Sequence, residues 1–212
     1  MTGDARSVVE RMRACRVVPV TTLDDPASAS SVAAALQKGG IDCIEITFRR
    51  AGAAEAVRAV RQGSGLLVGA GTILSVEQAD AALAAGAHFA VAPGTNELVV
   101  QHCGNIGLPF FPGVATPSEI DRARYLGLHV VKVFPVAQLG GPAFLRAVSA
   151  AYPDVEFLPT GGVAADNLSD YLAIPSVVAC GGSWLVPADV IREQRFARIT
   201  ELAAQAVRSL AA

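Results

Sequence analysis

The chain lacks a strong charge of either sign, because its formal net charge is −2 over 212 residues. That balance gives no electrostatic reason to expect a nucleic acid or an anionic membrane as partner. No apolar run reaches the length of about 18 residues that a membrane-spanning helix needs. Residues 1–16 carry four arginines and two acids and have no apolar segment of the signal-peptide kind. We therefore expect a cytoplasmic protein that binds neither nucleic acid nor membrane.

Cysteine is scarce as well, and none of the cysteines has the CxxC spacing of zinc sites or redox motifs. This spacing argues against a metal site or a disulfide and favours reduced thiols. The four cysteines are Cys15, Cys43, Cys103 and Cys180.

Lysine is the rarest basic residue, since only Lys38 and Lys132 accompany 15 arginines. Lys132 lies inside the apolar run 129–135 (HVVKVFP), whose β-branched residues and final proline are typical of a β-strand. Burying an ammonium without a partner costs several kcal/mol, so a lysine in such a place tends to become a neutral amine. A desolvated amine forms Schiff bases with carbonyl compounds. The alternative is a strand-end lysine that reaches solvent.

The remaining composition is that of a globular protein, with 52% hydrophobic and 17% charged residues. No Pro- or Ser-rich linker interrupts residues 1–212, which predicts a single domain. Strand-like runs alternate with Ala-rich helical segments, and their uniform shortness favours a (β/α)8 TIM barrel with a short N-terminal helix over an open doubly wound sheet. The predicted strands are 17–21, 42–47, 66–70, 88–92, 110–114, 129–134, 156–159 and 177–180. The predicted helices are 4–15, 27–38, 53–61, 76–85, 96–103, 117–125, 142–150, 165–172 and 188–210.

In such a barrel the active site lies where the strands end, so polar residues should collect there. Alternation in strand two directs Glu45 and Thr47 into the barrel, and the loop that follows carries Arg49. The same parity in strand six directs Lys132 and Phe134 inward. Burying a carboxylate costs free energy unless it is paired with a cation or takes part in the chemistry. We therefore expect Glu45 and Lys132 to share one cavity.

Glycines mark the ends of three further strands. Strand three ends in Gly69-Ala70-Gly71-Thr72, with a hydroxyl that should point inward. Strands seven and eight end in the glycine pairs 161–162 and 181–182, the usual place for a phosphate in this architecture. Bare backbone amides can hold a phosphate at such a turn.

Taken together, five motifs resemble the 2-keto-3-deoxy-6-phosphogluconate (KDPG) aldolase family. These are class I aldolases of the Entner–Doudoroff pathway that often also act on 4-hydroxy-2-oxoglutarate. Each motif is weak alone, but all five occur in the family's order and spacing. They are EITFR at 45–49, GAGT at 69–72, KVFP at 132–135, PTGG at 159–162 and GGSW at 181–184.

The resemblance implies a role for each matching residue. Lys132 would form the Schiff base with the pyruvate-derived carbonyl, and Glu45 would be the general acid and base. The other implied substrate-binding residues are Arg49 and Thr72 for the carboxylate, Phe134 beside the substrate, and Thr160, Gly161, Gly162, Gly182 and Ser183 around the phosphate. The family also implies a homotrimer of (β/α)8 barrels that binds a phosphorylated 2-keto acid and pyruvate and needs no metal or cofactor.

The sequence departs from the family pattern at one point, and several site residues have alternative interpretations. The loop 136–141 lacks the acidic residue that many relatives have there, which leaves the substrate range open, although Thr160 favours the gluconate over the 2-keto-3-deoxy-6-phosphogalactonate type. A non-catalytic phosphate-binding barrel and a phosphosugar isomerase or epimerase are the rival functions. Glu45 could instead be a structural partner of Arg49, Thr72 a helix cap like Ser75, and Phe134 plain core packing.

Overall fold

The structure is a computed structural model that describes residues 3–211, with side chains described for residues 5–210. Helices and strands alternate along the chain. The helices are α1 Gly3–Cys15, α2 Ala29–Lys38, α3 Ala53–Gly63, α4 Val76–Ala84, α5 Glu97–Asn105, α6 Pro117–Tyr125, α7 Gly141–Ala151, α8 Leu168–Leu172, α9 Ala188–Arg192 and α10 Phe196–Ala211. The strands are β1 Val17–Thr21, β2 Cys43–Thr47, β3 Leu67–Gly71, β4 Phe89–Val91, β5 Phe110–Phe111, β6 Gly113–Val114, β7 Val130–Val133, β8 Glu156–Pro159 and β9 Cys180–Gly182.

The strands pair in parallel and build an α/β fold around a curled six-stranded sheet in the order β5-β4-β3-β2-β1-β9. A second parallel sheet has the order β6-β7-β8. A single bridge between Thr160 and Gly181 connects the end of β8 to β9. Because parallel strands end on the same side, the loops that carry the five motifs meet at one edge.

Local sequence explains why these elements form. In α3, Ala53, Ala56, Val57 and Val60 are buried at helical spacing, which gives the helix one apolar face against the sheet. At the start of α6, Thr116 accepts a hydrogen bond from the backbone N–H of Glu119, and the Glu119 carboxylate accepts one from Thr116 in return. The three-residue spacing from Thr116 to Glu119 predicts this capping box, and the structure confirms it.

Three predicted boundaries are wrong, each for a local reason. The predicted strand 110–114 is split between β5 and β6 at Pro112, which has no N–H to donate to a neighbouring strand. The predicted helix 188–210 breaks between α9 and α10, where Gln194 has a left-handed φ of 56°. The last strand lies at 180–182 and not at 177–180, because Val177 makes only an isolated bridge to Phe157.

The interior is apolar apart from a few polar and charged side chains. The buried polar side chains of the described residues are Thr21, Glu45, Thr47, Lys132 and Thr160. Within the part of the chain that the structure describes, no helix combines the length and apolar character needed to cross a bilayer.

Candidate active site

A cavity of about 620 Å³ opens at the edge where the strands end. It is walled by residues from β1, β2, β7 and β9 and from the segments that follow these strands and β8. Nine of the ten predicted site residues line it, namely Glu45, Arg49, Lys132, Phe134, Thr160, Gly161, Gly162, Gly182 and Ser183. The structure therefore brings together residues that lie up to 138 positions apart, from 45 to 183.

At the base of this cavity, Lys132 lies beside Glu45. The Lys132 Nζ is 3.2 Å from Oε1 and 3.4 Å from Oε2 of Glu45, and both side chains are buried. Strand alternation predicts that both face inward, and β7 and β2 place them so. A buried pair of this kind is stable only while both partners are present, because removing one leaves an uncompensated charge and costs about 3–5 kcal/mol.

The backbone of β3 makes room for the Glu45 carboxylate. Gly71 has no side chain where the carboxylate lies, and a Cβ there would overlap Oε1 and come 2.8 Å from Cδ and Cγ of Glu45. The pairing of β2 with β3 explains the contact. Glu45 is paired with Gly69, and Gly71 lies two residues further along β3. Gly71 thus permits the position in which Glu45 reaches Lys132.

Since the resemblance implies that Glu45 is the general acid and base, we expect Gly71→Ala to reduce turnover by about 10²-fold, because a displacement of roughly 1 Å in a catalytic group can cost that much. The added Cβ forces the end of the Glu45 side chain to move while the backbone stays in place. The control is Gly63→Ala, whose Cβ would meet only Ser30 Oγ at 3.8 Å. Steady-state kinetics and thermal unfolding of both variants make the test; equal activities would exclude this role of Gly71.

Phe134 covers the amine from one side. The Lys132 Nζ lies 5.9 Å from the centroid of the Phe134 ring, a distance at which the ring face attracts a cation. Phe134 is half-buried and lines the cavity, so its ring contacts both the core and whatever the cavity holds. The ring therefore shields the Lys132 side chain from water.

A glycine turn, Gly161 and Gly162, forms another part of the cavity wall. Gly161 and Gly162 have φ angles of 91° and 85°, which is the region that favours glycine. The loop 136–141 packs directly on this turn, since the N–H groups of Val136 and Ala137 donate to the carbonyls of Thr160 and Gly161 at 2.9 and 3.0 Å. The loop 136–141, which lacks the acidic residue of many relatives, thus supports the turn at Gly161 and Gly162 through backbone hydrogen bonds.

Thr72 is the predicted site residue that does not line the cavity. It directly follows β3 and has a φ of 59°, an uncommon conformation for a β-branched residue. The helix that follows is capped by Ser75, whose hydroxyl accepts from the N–H of Gln78. Ser75 therefore fills the capping role that was the plainer alternative for Thr72.

Thr22 and Thr47 form a hydroxyl pair in the cavity wall that the sequence did not identify as a site. Their Oγ1 atoms are 2.7 Å apart. The signal was present in Thr21-Thr22, two polar residues at the end of an otherwise apolar first strand. Trp184, quoted only as part of a motif, also lines the cavity.

Among residues 3–211, no group of three or more histidine, cysteine, aspartate or glutamate residues is arranged to hold a metal ion. The cavity instead offers an amine, a carboxylate, a guanidinium, hydroxyls and backbone amides. Such a set suits carbonyl chemistry on an acidic, phosphorylated substrate.

Comparison with known proteins leads to the same chemistry. The sequence profile of KDPG and KHG aldolases matches residues 8–202. A 2-dehydro-3-deoxy-phosphogluconate aldolase of Treponema pallidum (strain Nichols) is 48% identical over 200 residues, which cover 94% of this chain and 95% of that protein.

Two crystal structures are similar over almost their whole length. One is the 2-keto-3-deoxy-6-phosphogluconate aldolase of Zymomonas mobilis ZM4 with 3-phosphoglycerate, with a TM-score of 0.89, 36% identity and 95% of each chain covered. The other is a KDPG aldolase from Legionella pneumophila with pyruvate captured as a covalent carbinolamine intermediate. It has a TM-score of 0.89 and 35% identity, over 93% of this chain and 96% of that one. The profile match over most of the chain and these near full-length similarities show that the chain belongs to the KDPG and KHG aldolase family.

Proposed function

We propose that the chain is a class I aldolase that cleaves 2-keto-3-deoxy-6-phosphogluconate reversibly to pyruvate and glyceraldehyde 3-phosphate. Cleavage of 4-hydroxy-2-oxoglutarate to pyruvate and glyoxylate is its second activity. The observation that carries the proposal is the Lys132 amine, buried in the cavity within hydrogen-bond distance of the Glu45 carboxylate. The similar Legionella pneumophila protein, which holds pyruvate covalently, supports the same chemistry.

The reaction begins with proton transfer inside the buried pair. Glu45 takes a proton from the Lys132 ammonium across 3.2 Å, and the pair stays neutral overall before and after the transfer. The free amine of Lys132 then attacks C2 of the keto acid to form a carbinolamine. Glu45 returns its proton to the carbinolamine hydroxyl, which leaves as water and yields the iminium, so that Glu45 is again a carboxylate.

Carbon–carbon cleavage follows because the iminium accepts electrons. Glu45, directly or through a water molecule, removes the proton from the C4 hydroxyl, and the C3–C4 bond breaks. Glyceraldehyde 3-phosphate leaves, and the electron pair of the broken C3–C4 bond forms an enamine that stays attached to Lys132. Protonation at C3 and hydrolysis release pyruvate and regenerate the amine.

The remaining cavity residues bind the substrate together with Thr72, which follows β3 outside the cavity wall. Arg49 and Thr72 hold the carboxylate, and Phe134 packs beside the carbon chain. The phosphate binds at Thr160, Gly161, Gly162, Gly182 and Ser183, where the turn 161–162 and the end of β9 offer backbone N–H groups. The strained φ of Thr72 supports a functional role, since such strain concentrates at active sites.

The Lys132–Glu45 pair also separates this function from its rivals. A phosphate-binding barrel without activity needs neither a buried amine nor a carboxylate beside it. A phosphosugar isomerase or epimerase moves protons between two acid–base groups and forms no imine. Covalent attachment of the substrate therefore distinguishes the aldolase from both alternatives.

Trapping with borohydride tests the proposal directly. The unmodified protein is incubated with pyruvate and sodium borohydride, and its intact mass and its peptides are measured. We expect one reduced pyruvate per chain, attached to Lys132, and no adduct when pyruvate is omitted. Absence of the adduct, or attachment to Lys38, would contradict the proposed Schiff base.

The architecture belongs to the same proposal. Residues 1–212 form one (β/α)8 barrel, a closure supported by the Thr160–Gly181 bridge and by the short gap at Pro112 between β5 and β6. The chain assembles as a homotrimer and acts in the cytoplasm. The large hydrophobic side chains that are exposed among the described residues are candidates for contacts in the assembly: Leu74, Leu83, Leu98 and Tyr125.

A further inference from the structure

We propose that Cys15 and Cys43 form a dithiol site, which reduces peroxides while it closes to a disulfide and which binds trivalent arsenicals. The Sγ atoms of the two residues lie 3.0 Å apart, although 28 positions separate them in the sequence. All four cysteines of the chain carry free thiols in the structure. Cys15 and Cys43 are the two that contact each other.

Three elements, α1, β1 and β2, hold the two sulfurs close together. Cys15 is the last residue of α1 and Cys43 is the first residue of β2. Both thiols reach the carbonyl oxygen of Val17 at the start of β1, at 3.2 and 3.1 Å. Because an S–S bond is about 2.05 Å long, the sulfurs need to approach by only about 1 Å to become bonded.

The two thiols differ in access. Cys15 is partly exposed and lines a cavity of about 680 Å³ together with Arg11, Arg16 and Asp42. Cys43 is completely buried behind it. A reagent that enters this cavity therefore meets the Cys15 sulfur first.

The two thiols also differ in acidity. The hydrogen bond that Cys43 donates lowers the pKa of the Cys15 thiol below its usual value, although burial works against this. Burial raises the pKa of the Cys43 thiol well above its usual value. Since the thiolate is the reactive form of cysteine, Cys15 is the attacking residue and Cys43 the resolving one.

The reaction balances with a peroxide as the oxidant. The Cys15 thiolate attacks one peroxide oxygen, the O–O bond breaks, and the other oxygen leaves and takes up the proton that Cys15 released. Cys15 is then a sulfenic acid. The Cys43 sulfur attacks the Cys15 sulfur, and its proton joins the departing hydroxyl to form water. Two electrons from the two thiols reduce one peroxide.

The oxidation test uses the full-length reduced protein and hydrogen peroxide. We expect the intact mass to fall by two hydrogen atoms and a Cys15–Cys43 linked peptide to appear. Cys103→Ala serves as the control, because burial raises the pKa of the Cys103 thiol to about 11 and no role is assigned to it. A disulfide that involves another cysteine, or no loss of the two hydrogens at saturating peroxide, would overturn the proposal.

The order of attack is tested with single variants and dimedone, which labels sulfenic acids. We expect Cys43→Ala to accumulate a dimedone adduct on Cys15, since no resolving thiol remains. Cys15→Ser should leave Cys43 unlabelled, because Cys43 is buried. Equal labelling of the two variants would overturn the assignment of Cys15 as the attacking thiol.

Phenylarsine oxide provides a test that needs no oxidation. Two thiols on one arsenic should bind about 10²-fold tighter than either thiol alone, because the second bond forms within the same molecule. We expect one tight site per chain that is lost in Cys15→Ser, a variant whose aldolase activity checks its fold. Tight binding that persists in this variant, or none in the unmodified protein, would exclude the dithiol site.

Discussion

Replacing Lys132 by arginine is expected to abolish aldolase turnover, with a loss of at least about 10⁴-fold, because no Schiff base can form. Arginine keeps the positive charge beside Glu45 and can still attract an anionic substrate, but it does not supply a free amine. Lys132→Arg therefore removes the covalent chemistry while retaining the electrostatics. Turnover of the gluconate substrate and borohydride trapping with pyruvate measure the effect.

Arginine is preferable to alanine at this position for reasons of stability. Lys132→Ala would leave the buried Glu45 carboxylate unpaired, at a cost of about 3–5 kcal/mol. Circular dichroism and thermal unfolding of Lys132→Arg establish that a loss of turnover does not reflect unfolding. Lys38→Arg is the matched control, since Lys38 is exposed at the end of α2 and is the only other lysine. Trapping that survives in Lys132→Arg would refute the assigned nucleophile.

Replacing Glu45 by glutamine is expected to separate imine formation from bond cleavage. The amide has nearly the same shape as the carboxylate and can still contact Lys132, but it cannot accept a proton. Pyruvate should still be trapped on Lys132, although more slowly because solvent must take the lysine proton in place of Glu45, whereas cleavage should slow by about 10²–10⁴-fold, the usual contribution of positioned acid–base catalysis. Rapid-quench kinetics and borohydride trapping on the same sample distinguish the two steps.

The matched control for Glu45 is Glu55→Gln, because Glu55 is exposed in the first turn of α3. Undiminished turnover in Glu45→Gln would remove Glu45 from the mechanism. Loss of trapping together with turnover would mean that Glu45 acts chiefly before cleavage, in freeing the Lys132 amine. The Gly71→Ala variant should resemble Glu45→Gln in kind, since it moves the same carboxylate.

Much of the site could be predicted because strand residues alternate between two faces. The parity of β2 and β7 places Glu45 and Lys132 inward from the sequence alone, since side chains repeat every second residue. The glycine pairs at 161–162 and 181–182 could be read from their positions after two strands. Thr72 shows the limit of this reading, since the same parity cannot foresee that its backbone turns to a φ of 59° beyond the last paired residue.

Distances between residues on different strands could not be predicted from the sequence. Glu45 and Lys132 are 87 positions apart, and their contact depends on the strand order, on the register and on the missing side chain of Gly71. The Cys15–Cys43 pair is similar, because the spacing of the cysteines argued against a linked pair and only the packing of α1 against β2 brings the sulfurs together.

The sequence by itself determined most of the strands, the inward faces of Glu45 and Lys132 and the capped start of α6, because these properties depend on neighbours within a few residues. The scarcity of lysine also singled out Lys132 as a candidate nucleophile. Only the tertiary structure decided that the Glu45 carboxylate lies 3.2 Å from the Lys132 amine, and that Thr22 and Thr47 join the cavity wall. The physical reason is that hydrogen bonds form over about 3 Å, and whether two distant segments come that close is settled by the packing of the whole chain.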